Sequence, residues 1–367
     1  MNNKKKALQE ALERIRAGEA TDEKTLRRIK REVCKEYAVK RMIKNSEILE
    51  LVPPSERGEE LIRVLRKRPM RTISGVSPIA IMCNVGCPHG RCAYCPRGED
   101  AAQSYTGKEP AAMRAIQNNY DAFKQTKSRI EQLESIGHTV EKCELIIMGG
   151  TFNAQPKEDQ DYFVKRALDA MNEKEAPDLQ TALKWNEAAK HRAVGITFET
   201  RPDCCKEKDL DRLLEMGGTR IEVGVQTLDN EVYEKVERGH TVEDVAYATR
   251  VAKDAAFKLV YHMMPGLLST KEKDVRMFEQ LFSDERFKPD MLKIYPFMVM
   301  PGTKMFEWWK KGEIKPYSTE EAAEVIAESS KFIPRWCRVM RMQRDIPVQL
   351  IAAGVKKSNL RQIADKK

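Results

Sequence analysis

From about residue 76 onward the chain repeats one rhythm, a short apolar run followed by an amphipathic helical segment. The runs are "SPIAIMCN", "CELIIMGG", "AVGITFET", "TRIEVGVQT", "KLVYHMMPG" and "MLKIYPFMV", and their partners include "KEDQDYFVKRALDAMNE", "EKDLDRLLEMG" and "TVEDVAYATRVAKDAA". Parallel strands need a crossover long enough to return the chain to the same end of the sheet, and a helix supplies it. Six such units predict an α/β fold, an incomplete (β/α)6 TIM-like barrel. In such barrels the chemistry gathers at the C-terminal ends of the strands.

The first seventy residues follow a different pattern. "KKALQEALERIRAG", "DEKTLRRIKREVCKEYAVKRM" and "EELIRVLRKR" carry apolar residues at three- and four-residue intervals, with Thr21 or Asp22 as a cap for the second. They predict a small helical domain over 1–70, ahead of a barrel domain with a C-terminal extension over 71–367. This region holds 19 Lys+Arg against 12 Asp+Glu, so +7 of the chain's net +9 lies there. A polyanionic partner fits that asymmetry, because neutralising phosphates releases counterions; a solvated basic helix face would carry the same charge. No run reaches the roughly 18–20 apolar residues of a membrane span, and "MNNKKKALQEALERIRAGEA" lacks the apolar centre of a signal peptide. A cytoplasmic chain without membrane association is expected, with its cysteines kept as thiols.

Four of the nine cysteines crowd into "MCNVGCPHGRCAYCPRG": Cys83, Cys87, Cys92 and Cys95. Thiolates are soft ligands that suit zinc or iron–sulfur clusters. A structural zinc site would use all four. A cluster on Cys87, Cys92 and Cys95 would leave one iron open to a substrate. The position of the loop at a strand end and the tyrosine in "CAYC" favour the cluster. Other polar residues also end strands, namely Glu199 in "FETRPD" and Gln226 in "GVQT". Gly149 and Gly150 in "MGGT" fit either a tight turn or the close approach of a ligand. Lys293 and Tyr295 alternate with Leu292 and Ile294, so they face one side of the sixth strand, the barrel interior. Of the five histidines only His262 stands beside a strand end.

These motifs resemble those of radical S-adenosylmethionine (SAM) enzymes and, more narrowly, the family of the Elongator catalytic subunit, the tRNA carboxymethyluridine synthases. "CPHGRCAYC" is similar to the cluster loop, and "QSYTGKEPAAMRAIQNNYD", "GITFETRPD", "EVGVQTLDNEVYEKVERGHT", "LKIYPFMVMPGT" and "MRMQRDIP" follow in order over roughly residues 70–360. The resemblance implies a barrel of radical SAM type with a 4Fe-4S cluster on Cys87, Cys92 and Cys95, Cys83 being left as a buried or redox-sensitive thiol. It implies SAM against Gly98, Gly149, Gly150, Glu199 and Gln226, although Arg97 stands where the family more often has a glycine. It implies acetyl-CoA as co-substrate, its phosphates met by Lys142. In the implied reaction a deoxyadenosyl radical takes hydrogen from the acetyl methyl, the carbon radical adds to carbon 5 of the wobble uridine of tRNA, and thioester hydrolysis leaves a carboxymethyl group. Lys293 and Tyr295 would act there on the base or the radical. Lys4, Lys5, Lys6, Arg27, Arg28, Lys30 and Arg31 would contact tRNA phosphates. Family members continue into an acetyltransferase-like domain that this chain is expected to lack, and a homodimer or larger Elongator-like assembly is the expected context. Two other readings are a radical SAM enzyme acting on another substrate and a noncatalytic, zinc-containing tRNA-binding scaffold.

Overall fold

The computed structural model describes residues 3–367, which form two compact units. The first takes the residues up to Ile79 together with Lys127–Cys143 and Lys190–Arg192; the second takes Ala80–Thr126, Glu144–Ala189 and Ala193–Lys367. Among the described residues no helix is long and apolar enough to cross a membrane.

The first unit is built on α1 (Asn3–Arg16), α2 (Glu23–Glu36), α3 (Asn45–Leu49) and α4 (Glu59–Leu65). α1 buries Ala7, Leu8, Ala11, Leu12 and Ile15, and α2 buries Leu26, Ile29 and Val33, the stripes that their spacing predicts. Each fully buried Leu or Ile here stabilises the unit by about 1.5–3 kcal/mol relative to an exposed one. Asp22 is the cap of α2: its carboxylate accepts from Thr25 N at 2.7 Å, while Thr25 Oγ1 accepts from Asp22 N at 3.1 Å. The helix stops earlier than its apolar pattern suggests, because Tyr37 caps it and Ala38 turns left-handed with φ 51°. The unit also extends beyond 1–70. The His138 ring bridges Thr72 Oγ1 at 2.7 Å and the Lys67 carbonyl at 2.9 Å, and Arg66 Nε donates to the Gly137 carbonyl at 3.0 Å, which recruits the later segment.

A curled, parallel half-barrel of seven strands runs in sequential order, all of it in the second unit except the first residues of its first three strands: β1 (Ser77–Met82), β2 (Lys142–Met148), β3 (Arg192–Thr200), β4 (Arg220–Gln226), β5 (Lys258–Met263), β6 (Met291–Ile294) and β7 (Arg338–Arg341). The six expected strands are all present. The seventh was not expected: it has four residues, none of them fully buried, so its apolar signal is weak. Helices connect successive strands: α5 (Pro110–Gln117) and α6 (Ala122–Ser135) lead from β1 to β2, α7 (Lys157–Asn172) and α8 (Leu179–Asn186) from β2 to β3, and α9 (Glu207–Glu215) from β3 to β4. α10 (Asn230–Lys235) and α11 (Val242–Asp254) lead on to β5, α12 (Lys271–Ser283) to β6, and α13 (Lys304–Lys310) and α14 (Thr319–Ser330) to β7.

Register decides what the sheet presents. Glu199 of β3 stands opposite Glu222 of β4, His262 of β5 opposite Lys293 of β6, and Lys293 opposite Arg341 of β7. Glu222 pairs with Val260, which shares a face with His262 two residues on. The pleat therefore brings charged side chains from neighbouring strands onto one face, while Ile221, Val223 and Val225 fill the other face of β4.

Candidate active site

The loop that follows β1 carries three of the four clustered thiols. It is pinned by its own backbone and by one side chain: Gly90 N donates to the Cys87 carbonyl and Cys95 N to the Cys92 carbonyl, each at 3.0 Å, while Gln103 accepts from Cys87 N at 3.0 Å and donates to the Gly90 carbonyl at 2.7 Å. Cys92 and Cys95 are buried and Cys87 half-buried, all as free thiols. His89 Nε2 lies 3.2 Å and Arg238 Nη1 3.5 Å from Cys92 Sγ. Burial works to raise the Cys92 pKa, but the neighbouring His89 and the Arg238 charge outweigh it and bring it down to about 6, which favours the thiolate. Cys87 is shifted up, chiefly by burial. Cys95 Sγ is 3.4 Å from Ser104 Oγ.

Cys83 stands apart. Its thiol donates to the Met148 and Gly149 carbonyls at 3.3 and 3.4 Å, and burial pushes its pKa up to about 12. A thiol committed to backbone carbonyls is a poor ligand, which leaves a donor set of three. A single zinc ion bound tetrahedrally at about 2.3 Å would need sulfurs roughly 3.8 Å apart. Among the described residues, the group of three ligand atoms lying within 4.8 Å of one another is Glu199, Glu222 and His262, not the cysteines. Three spaced thiols with one sulfur favoured as thiolate fit a cluster better than a closed zinc site.

Beneath the loop, "ERGHT" supplies Arg238. Its guanidinium donates to the Gly224 carbonyl and rests on that residue, where a Cβ would stand 2.6 Å from Nη2. Gly239, with φ 73°, lets the backbone close on His89, whose Cβ would be 2.8 Å from an added side chain. Arg201, just past β3, lies 3.1 Å from His89 Nε2, pairs with Asp203 at 3.0 Å and donates to the Arg238 carbonyl at 2.8 Å.

A second polar centre fills the half-barrel. The Lys293 ammonium lies against the Glu222 carboxylate and 3.8 Å from Glu199; His262 Nε2 is 2.9 Å from Glu222. Tyr105 donates to Glu199 at 3.1 Å, and the Tyr295 ring meets His262 edge-on with centroids 5.5 Å apart. Glu222 is 0% exposed. Burial would raise its pKa, but Lys293 and His262 hold it well below the ordinary range; burial would lower that of Lys293, but Glu222, Tyr295 and Glu199 hold it up. Both are charged at neutral pH, so the cation among these carboxylates is the Lys293 ammonium. The two centres share a wall: Ser104 touches Cys95, and the next residue, Tyr105, touches Glu199.

The structure brings Glu199, Lys293 and Tyr295 together, with His262 beside them, and adds Glu222, Tyr105 and Arg238, which the sequence reading missed. The alternation Arg220, Glu222 within an otherwise apolar β4 was the available signal. Gln226 ends β4 with a left-handed φ of 74°, and its buried Oε1 has no partner. Gly149 and Gly150 are accounted for by the chain itself, since a Cβ on either would run into the carbonyl oxygen of Cys83 or Val85, and Gly98 is pressed likewise against Thr106. Lys142 opens β2, exposed, at the opposite end of that strand from Gly149. In the first unit, Lys5, Lys6, Arg27 and Arg31 are exposed without an ion pair among the described residues. Lys4 pairs with Glu47 at 2.9 Å and Arg28 lies 3.8 Å from Glu32, while Lys30 is half-buried and donates to Asn45 at 2.9 Å.

Comparison with known proteins gives the family. The tRNA uridine(34) acetyltransferase of Methanocaldococcus infernus is 48% identical over 367 residues, covering 98% of this chain and 68% of that protein. Elongator complex protein 3 of Homo sapiens is 41% identical over 362 residues, covering 95% of this chain and 66% of its own. The chain belongs to the Elongator complex protein 3 family. The profile of the ELP3 N-terminal domain matches residues 4–73, that of the radical SAM superfamily 81–282, and that of the radical SAM C-terminal domain 289–367. Among solved structures, archaeal Methanocaldococcus infernus Elp3 with its N-terminus deleted is similar with a TM-score of 0.70 and 46% identity, over 80% of this chain and 62% of that one. This Elongator-type chain thus spans about two thirds of the length of the curated relatives it matches. Its radical SAM domain implies a 4Fe-4S cluster and SAM.

Proposed function

We propose that this chain is a radical SAM tRNA-modifying enzyme whose reaction installs a carboxymethyl group, derived from acetyl-CoA, at carbon 5 of the wobble uridine. The observation that carries the reading is the set of three loop thiols, Cys87, Cys92 and Cys95, from which Cys83 is withdrawn, standing beside the charged centre around Lys293. The chemistry that a cluster and SAM supply together is one-electron cleavage to a 5′-deoxyadenosyl radical. The protein's own residues bind and orient. Cys92 is favoured as the thiolate, the form that ligates. Gln226 and Glu199, at the ends of β4 and β3, offer acceptors to the amino group and ribose of SAM. Lys293, fixed by Glu222, and Tyr295 face the polar acceptors of a uracil or of the acyl group. Lys142 would meet the CoA phosphates.

The test is anaerobic reconstitution with iron and sulfide, then reductant and SAM, with 5′-deoxyadenosine measured in the presence and absence of tRNA and acetyl-CoA. Deoxyadenosine formed by a brown, iron-loaded protein is the expected result; a colourless protein that takes up zinc and forms none would overturn the reading.

The basic surface of the first unit makes a separate prediction. Changing Lys5, Lys6, Arg27 and Arg31 together to glutamine should weaken tRNA binding at least about tenfold and flatten its salt dependence by about 0.7–0.9 in slope per lost phosphate contact. Unchanged affinity and slope would point to a radical SAM enzyme with another substrate.

A further inference from the structure

Arg238 is a buried cation without a carboxylate. The residue is 7% exposed, and among the described residues it makes no ion pair with Asp or Glu; its guanidinium donates to the Gly224 carbonyl and towards Cys92 Sγ, and Nε is buried without a partner. Arg201 beside it shows the contrast, being paired with Asp203. Its neighbour His240 is buried with neither ring nitrogen hydrogen-bonded, and burial beside Arg238 and Arg201 keeps it neutral; the carboxylate nearest to that ring, Asp203 at 3.9 Å from Nδ1, is the one already paired with Arg201. A buried charge left uncompensated is strongly unfavourable, so the fold has to bring an anion to this guanidinium. The sulfur of Cys92, 3.5 Å from Nη1, is the group within reach.

The seating is specific. Gly224 lies on β4 two residues from Glu222, and a Cβ there would stand 2.6 Å from Nη2. The guanidinium therefore occupies the space that a side chain at Gly224 would take, with Nη2 on that carbonyl and Nη1 towards Cys92 Sγ. The Arg201 hydrogen bond to the Arg238 carbonyl fixes the main chain from the other side, at 2.8 Å.

We infer that Arg238 is a positioning residue that serves as counter-ion to the Cys92 sulfur and, on the cluster reading above, favours the electron-rich reduced state. Hydrogen bonds and positive charge at ligating sulfurs raise the reduction potential of an iron–sulfur centre, because the added electron increases its negative charge. The electron itself comes from the external reductant.

Two measurements test this. In metal-free protein, a double-mutant cycle of C92A and R238Q followed by thermal unfolding should be non-additive, C92A lowering the melting temperature of the wild type more than that of R238Q; additive effects overturn the counter-ion assignment whether or not a cluster forms. In reconstituted protein, a redox titration followed by electron paramagnetic resonance should show the reduced-to-oxidised ratio of R238Q at fixed poise lower by tenfold or more, 59 mV for one electron, with R238K recovering most of it. G224A, which displaces the guanidinium without removing its charge, should fall between. A wild-type ratio in iron-loaded R238Q, or in both R238K and G224A if R238Q takes up no iron, overturns the redox role. Failure of the wild type to take up iron would instead defeat the cluster reading, leaving the metal-free cycle to decide the counter-ion.

Discussion

Replacing any one of Cys87, Cys92 or Cys95 by alanine is expected to abolish iron retention and 5′-deoxyadenosine formation, a loss on the order of 100-fold or more, since even outer partners of metal ligands cost 10–100-fold. C83A should retain both. The contrast follows from where the sulfurs point. Cys83 is bonded to the Met148 and Gly149 carbonyls as a neutral thiol, whereas Cys92 is drawn towards the anion by His89 and Arg238. Iron content and deoxyadenosine are read on the four variants in parallel. If C83A loses iron as completely as C87A, the donor set has four members and the three-thiol assignment is wrong.

The second large effect is on stability. Glu222 is buried at the centre of the half-barrel with the Lys293 ammonium and His262 on its carboxylate. E222A leaves the Lys293 ammonium with only the more distant Glu199 carboxylate at 3.8 Å, and removing one partner of a buried pair costs up to about 3–5 kcal/mol. Substituting both partners, E222M with K293M, should return much of that loss, because neither charge is then left alone; denaturant midpoints for the three proteins measure it. Turnover should not return with it, since Lys293 is proposed to face the substrate. The acid limb follows from the same pair. A carboxylate whose folded pKa lies below its unfolded value of about 4.3 contributes stability that is present above that value and lost as pH falls towards the depressed one. E222Q should lack this component. Equal midpoints for E222A and the double variant would show that the ion pair is not what the fold depends on.

Much of this was legible in the residues. Strands announced themselves by apolar runs, the thiol loop by spacing, Glu199 by polarity at a strand end, and Lys293 and Tyr295 by alternation along the sixth strand, because each signal lies within a few neighbouring positions. Arg238 gave no such signal. It sits after a short helix in "VERGHT", which reads as a surface turn, and its burial depends on the missing side chain of Gly224 fourteen residues earlier and on a thiol 146 residues away. β7 was silent for another reason, being a short edge strand with little apolar content. The glycines at 149 and 150 were ambiguous in sequence because a turn, a ligand and a neighbouring carbonyl all exclude a Cβ alike; the fold supplies the carbonyls of Cys83 and Val85.

The strand order β1 to β7 follows the chain without a single exchange. During synthesis each strand can therefore dock on one already in place, and the half-barrel can grow from one edge as it emerges. Charge neutrality does not keep pace with that growth. Glu222 is made 71 residues before Lys293, so at about 5–20 residues per second its carboxylate waits roughly 4–14 s for its ammonium. Until β6 arrives, Glu222 of β4 has His262 of β5 beside it but not the Lys293 ammonium, so the polar centre of the sheet is balanced in charge only once the sixth strand is in place.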